Sequence, residues 1–100
     1  LSGGEQQMLA FARVLRTGAA IFLLDEPTEG LAPVIIQQIG HAIEAMKALG
    51  HTMILVEQNF RFASRIADRH YVMEHGKIVD MIRRDEVQVR SDHIKSYLGV

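Results

Sequence analysis

The sequence predicts an α/β fold built on a parallel sheet, followed by a C-terminal antiparallel hairpin and a terminal helix. Three observations predict it. Ile21-Phe22-Leu23-Leu24 is a continuous apolar run that ends in Asp25-Glu26-Pro27, the pattern of a central strand covered on both faces. Thr52-Met53-Ile54-Leu55-Val56 is a second apolar run, and it too ends in polar residues, Glu57-Gln58-Asn59. An amphipathic helical pattern lies between them, and strand, helix, strand at this spacing implies a right-handed parallel crossover.

The two strands then share one carboxyl edge, where open α/β sheets place their ligands. Pro27 cannot donate to a ladder, so the first strand stops there. Asp25 and Glu26 therefore stand at the end of a buried strand, and Gln58 is expected near them. Two adjacent carboxylates at such a place are hard to justify by stability alone, because desolvating an unpaired charge is costly. A bound cation and a reacting water supply a reason.

Composition narrows the classes. The 100 residues are 48% apolar, enough for a core in one small domain or part of a larger one. Eleven basic residues against 12 acidic ones give a net charge of -1. That is not the basic excess usual for nucleic-acid binding, and no nucleic-acid partner is expected. Cysteine is absent, which excludes disulfides and thiolate metal sites. No apolar stretch is long enough to span a bilayer. The chain opens on Leu1-Ser2-Gly3-Gly4 without a methionine and is expected to be a fragment.

Each element has its local signals. Ser2 and Glu5 form an expected capping box for a first helix, with Met8, Leu9, Ala12, Val14 and Leu15 as its buried face. Thr17-Gly18 is its expected end, with Arg13 and Arg16 near the negative pole. Read for function, Gly3 and Gly4 would let a phosphate approach the exposed N–H groups at a helix start. Read for structure, the same residues are an ordinary helix cap.

Asp25 to Pro33 reads as a loop, with Pro33 in the first turn of the next helix. Val34, Ile35, Ile39, Ala42, Ile43, Met46 and Leu49 mark that helix's apolar stripe and Gly50 its stop. Gly40 inside it would allow close packing. Asn59 is the expected N-cap of a short helix through Phe62, Ala63, Ile66 and Ala67. His75-Gly76 reads as a hairpin turn between Arg69–Glu74 and Lys77–Ile82. Ser91 is the expected cap of a last helix ending near Leu98.

Leu1-Ser2-Gly3-Gly4-Glu5, one helix, then Ile21 to Pro27 resembles the nucleotide-binding domain of ABC transporters. The first motif is similar to that family's signature motif, the second to its Walker B strand and catalytic glutamate, and Glu29-Gly30-Leu31-Ala32 stands in the D-loop position. The resemblance covers essentially the whole chain, as the C-terminal portion (residues 1–100) of such a domain. It implies a P-loop NTPase-like core whose P-loop half lies outside these residues.

The resemblance carries residue roles with it. Asp25 would hold Mg²⁺, through water. Glu26 would orient or deprotonate the water attacking the γ-phosphate of ATP. Ser2, Gly3, Gly4 and Glu5 would face ATP held by a second ATPase subunit, in a homo- or heterodimer. Two departures stand out: Glu5 replaces the more common glutamine, and Gln58 stands where most members carry a switch histidine. Glutamine donates hydrogen bonds but cannot take up a proton, so Gln58 would sense and position.

Glu26 to Pro33, Val56-Glu57-Gln58-Asn59 and the closing Ser96 to Val100 resemble the ATP-binding subunits of branched-chain amino acid importers. Urea and amide importers share this branch. The implied partners are transmembrane permease subunits, and the implied location is the cytoplasmic face of the inner membrane, as a peripheral subunit. A non-transport ABC ATPase is the alternative from another class. It would usually bring coiled-coil insertions or a duplicated domain, and neither is visible here. Without a P-loop, these residues alone are expected neither to bind ATP tightly nor to hydrolyse it.

The remaining residues read as structural. Five histidines are scattered without ligand spacing. The methionines fall mostly on apolar faces. Phe60 and Phe62 read as packing residues, and Arg83-Arg84-Asp85-Glu86 as a solvated face. Glu57 has two open readings: it points into the site edge, or it pairs with a nearby arginine.

Overall fold

The computed structural model describes residues 3–18 and 20–98. The elements run α1 (Gly3–Arg16), β1 (Ile21–Asp25), α2 (Pro33–Ala48), β2 (Thr52–Val56), α3 (Phe60–Ile66), β3 (Arg69–Glu74), β4 (Lys77–Arg83), a 3-10 turn (Arg84–Glu86) and α4 (Ser91–Leu98). They fall into two compact units, residues 1–66 and 67–100.

In the first unit β1 and β2 pair in parallel, with Ile21 opposite Thr52 and Asp25 opposite Val56. Phe22 and Leu24 are buried on one sheet face, with Met53 and Leu55 half-buried beside them. Helices α1, α2 and α3 cover that face: Phe11, Leu24, Ile39, Ile43, Phe62 and Ile66 form one cluster. Among the described residues nothing covers the other face. Ile21 is 63% exposed, Leu23 68% and Ile54 56%. The described residues supply one layer of helices, on the face bearing Phe22 and Leu24, so within them β1 alternates out and in.

Local signals account for the helix ends. Pro33 opens α2 after an extended Ala32, and Gly50 follows its end at φ +89°, a conformation that favours glycine. Val34 and Leu49, expected in its apolar stripe, are exposed, while Ile39, Ile43 and Met46 are buried. Asn59 caps α3, its Oδ1 accepting from the Phe62 N–H at 3.1 Å. At the other end of α3, Lys47 Nζ donates to the Ile66 carbonyl, a cation on the negative pole.

A Cβ built on Gly40 would meet Phe62 Cε1 at 3.5 Å and Ile66 Cδ1 at 3.7 Å. These are ordinary contact distances, so α2 and α3 pack here without requiring a glycine. In α1, Leu9 and Ala12 are exposed and Phe11 is buried. Phe11 therefore takes an inward place that the expected stripe did not include, and the side chains of Met8, Val14 and Leu15, also expected in that stripe, lie outside the described residues. Ser2, the expected cap, lies outside the described residues.

The second unit holds the antiparallel pair β3–β4. His75 (φ +51°) and Gly76 (φ +76°) make its turn, both left-handed as a tight hairpin turn of type I′ requires. Ile82 and Ile94 are buried. The Asp80 carboxylate accepts from Arg90 in a two-pronged ion pair, from the Tyr97 hydroxyl at 2.7 Å and from the Met81 N–H at 2.8 Å. These bonds tie α4 to β4 and hold the Asp80 carboxyl well below the usual carboxylate range, the Arg90 guanidinium being the first cause. Ser91 is the first residue of α4, and the Ile94 N–H donates to the Arg90 carbonyl at 2.9 Å. The capping position thus falls on Arg90, one residue before the expected Ser91.

Candidate active site at the strand ends

Parallel pairing in this register brings the ends of β1 and β2 side by side. The Glu26 N–H donates to the Val56 carbonyl at 2.7 Å, continuing the ladder one residue beyond β1. The chain then reverses, with Glu29 N–H donating to the Glu26 carbonyl and Leu31 N–H to the Thr28 carbonyl, both at 3.2 Å. To make this reversal Glu26 adopts φ +46°. That left-handed conformation is uncommon for a residue other than glycine, and such strain concentrates at functional sites.

Glu26, Thr28, Glu29, Glu57, Gln58 and Asn59 line one cavity of about 220 Å³. Two of the expected site residues, Glu26 and Gln58, therefore meet there. Asp25 does not line it. Its place in β1 puts it on the exposed sheet face, opposite Val56. Gly3 and Gly4 form the start of α1 and Glu5 its acidic first turn. Glu5 does not line the cavity, and Ser2 falls outside the described residues. A larger cavity, lined by Asp68, Arg69, Tyr71, Met81, Arg83, Arg84 and Asp85, belongs to the hairpin unit and contains none of the expected site residues.

Glu57 resolves to the site edge. Its Oε2 accepts from the Thr28 hydroxyl at 2.8 Å, and its Oε1 accepts from the Asn59 N–H at 3.2 Å. Thr28 is a polar residue only 5% exposed. The sequence reading missed Thr28, which looked like one more loop residue. The available signal was a hydroxyl set between a proline and an acid at a strand end.

Four carboxylates gather around this edge. The Glu26 carboxyl is pushed above its ordinary value, first by the hydrogen-bonded and like-charged Glu29 carboxyl, then by partial desolvation, then by Asp25 and Glu57. A group tuned upward in this way is better suited to accept a proton near neutrality. The concentrated negative charge would also be relieved by a cation. Among the described residues no cluster of three or more His, Cys, Asp or Glu could hold a metal ion alone. One exposed carboxylate, Asp25, beside Glu26 fits an ion such as Mg²⁺, which keeps most of its waters and takes further oxygens from phosphate.

Among the described residues no helix is long and apolar enough to cross a membrane. The family model for the ABC transporter matches residues 1–29. The chain is 56% identical over 79 residues to the high-affinity branched-chain amino acid transport ATP-binding protein BraG of Pseudomonas aeruginosa, covering 79% of this chain and 34% of that protein. It is 37% identical over 101 residues to the glutamate transport ATP-binding protein GluA of Corynebacterium glutamicum, covering 99% of this chain and 42% of that one. Among solved structures, an ATP-binding cassette of an ABC transporter in its ADP conformation superposes with a TM-score of 0.82 at 28% identity, over 100% of this chain and 41% of that one. A nucleotide-free cassette gives a TM-score of 0.86 at 27% identity, over 100% of this chain and 40% of that one.

The chain thus spans 34% to 42% of the length of these curated relatives. A strand-end pair of acids, a parallel crossover, and these likenesses in sequence and structure agree with one another: the chain belongs to the ATP-binding domain family of ABC transporters.

Proposed function

We propose that this chain is the portion, from signature motif to final helix, of an ATP-hydrolysing subunit that drives a bacterial amino acid importer, with branched-chain amino acids as the substrate. The observation that carries the reading is the meeting of Glu26 and Gln58 in one cavity at the ends of adjacent parallel strands. Sequence likeness supports the importer class. The relatives are named for branched-chain amino acid, glutamate and arginine transport, the first at 56% identity and the other two at 37% and 36%.

In this reading Glu26 receives a proton from, or orients, the water that attacks the γ-phosphate of ATP. Its raised proton affinity suits that task. Gln58 donates a hydrogen bond toward the γ-phosphate or the water and senses which is present. Asp25 would hold Mg²⁺ through water, and the ion would supply neutralisation of phosphate charge when bound with nucleotide. Ser2, Gly3, Gly4 and Glu5 face nucleotide held by a second ATPase subunit. Gly3, Gly4 and Glu5 stand in the first turn of the 14-residue α1, at its positive pole. The partners are that second subunit and a pair of permeases, with the ATPase peripheral on the cytoplasmic face of the membrane.

Reconstitution tests the transport half of the reading. The intact subunit, joined with its permeases and binding protein in liposomes, should import leucine at the cost of ATP, and excess unlabelled isoleucine or valine should compete. Import of urea or glutamate in preference to leucine would contradict the branched-chain assignment.

A further inference from the structure

Gln58 is held from both sides by residues that are themselves anchored. On one side, the Glu57 side chain reaches across Gln58 to accept from the Asn59 N–H at 3.2 Å, closing a small ring around it. On the other, Asn59 is fixed as the cap of α3 by its bond from the Phe62 N–H at 3.1 Å. The second oxygen of Glu57 accepts from Thr28 at 2.8 Å, across 29 residues of sequence. Thr28 is two residues from Glu26, inside the turn closed by the Glu29 N–H on the Glu26 carbonyl.

We propose that Thr28 and Glu57 form a clamp that sets the distance between Glu26 and Gln58, making both of them positioning residues for hydrolysis. This rests on the reading of Glu26 and Gln58 as the hydrolytic pair. The β-ladder alone cannot do the job. It joins the strands through Val56, but Gln58 lies two residues past that point, where the backbone has left the sheet. The Thr28–Glu57 bond is the tie beyond the ladder. A hydroxyl donating to a carboxylate is among the stronger hydrogen bonds, and Thr28 is buried from competing water. A misplacement of about an ångström between reacting groups costs orders of magnitude in rate, which is what the tie prevents.

The clamp makes a graded set of predictions. Glu57→Gln keeps an oxygen for Asn59 and offers an N–H to Thr28, whose hydroxyl can accept. Thr28→Ser keeps the hydroxyl. Glu57→Ala and Thr28→Val each sever the tie. Half-exposed Glu57 can be truncated with little risk to the fold, so Glu57→Ala remains informative if Thr28→Val does not fold.

The experiment measures kcat and KM for ATP in the intact subunit for all four variants, for the pair Thr28→Val with Glu57→Ala, and for Glu26→Gln alongside. The clamp predicts kcat lower by about tenfold or more in either severing variant, with KM unchanged, and recovery in Glu57→Gln and Thr28→Ser. The double variant should be no worse than the worse single one, because both remove the same bond. Wild-type kcat in Glu57→Ala, or losses that multiply in the double variant, would overturn it. If Glu26→Gln is dead and Glu57→Ala is fully active, the clamp alone fails. If Glu26→Gln is active, the hydrolytic pair itself is wrong.

Discussion

The backbone N–H of Glu26 donates to the carbonyl of Val56 at 2.7 Å, and this bond is what turns two parallel strands into a site. It fastens the end of β1 to the end of β2 just where β1 must reverse direction. Glu26 meets both demands by taking φ +46°. The strain sits on the residue whose side chain is proposed to do the chemistry.

That strain is measurable. Glycine tolerates this conformation, while a β-branched residue does not. Glu26→Gly should unfold at a higher urea concentration than wild type although it loses the side chain, and Glu26→Val at a lower one. Equal midpoints for Gly and Val would show that the backbone at position 26 is not left-handed in solution.

Glu29 is the main reason that Glu26 holds its proton tightly. A carboxyl whose folded affinity is raised binds its proton more firmly in the native state than in the unfolded one. The stability this gives is fully present below the ordinary value, about 4.3, and is lost as pH rises through the raised value. Glu29→Gln should move the Glu26 titration to lower pH, read by carbon-13 NMR of the side-chain carboxyl. It should also abolish the associated loss of stability on the alkaline side of that ordinary value. An unmoved titration would contradict the assigned cause.

Gly40 offers a test of the helix packing. Its missing Cβ would touch Phe62 and Ile66 at 3.5 and 3.7 Å without overlap. Alanine is the better helix former by about 1 kcal/mol. Gly40→Ala should therefore stabilise the intact subunit by about 1 kcal/mol in urea denaturation. A destabilised variant would mean that α2 and α3 approach more closely than they do here.

Much of this was legible in the sequence, and the reason is locality. The strand ends at Asp25 and Val56, the Pro33 start, the Gly50 stop, the Asn59 cap and the His75-Gly76 turn each depend on a few neighbouring residues. The meeting of Glu26 with Gln58 was legible through one topological rule, the parallel crossover. What escaped depends on distant partners. Hydrophobicity along Ile21 to Leu24 does not say which face these residues cover themselves; among the described residues it is the face bearing Phe22 and Leu24. The Thr28–Glu57 bond joins residues 29 apart, and the local signal at Thr28 does not name its partner. Phe11 joins the cluster of Leu24, Ile39, Ile43, Phe62 and Ile66, partners that lie far from it in sequence.

The most direct test concerns Glu26 itself. In the intact subunit with Mg²⁺, Glu26→Gln should bind ATP with wild-type affinity and accumulate an ATP-bound dimer, while steady-state hydrolysis falls by a factor of about a hundred or more. Hydrolysis at the wild-type rate in that variant would remove Glu26 from the chemistry, and the strand-end site with it.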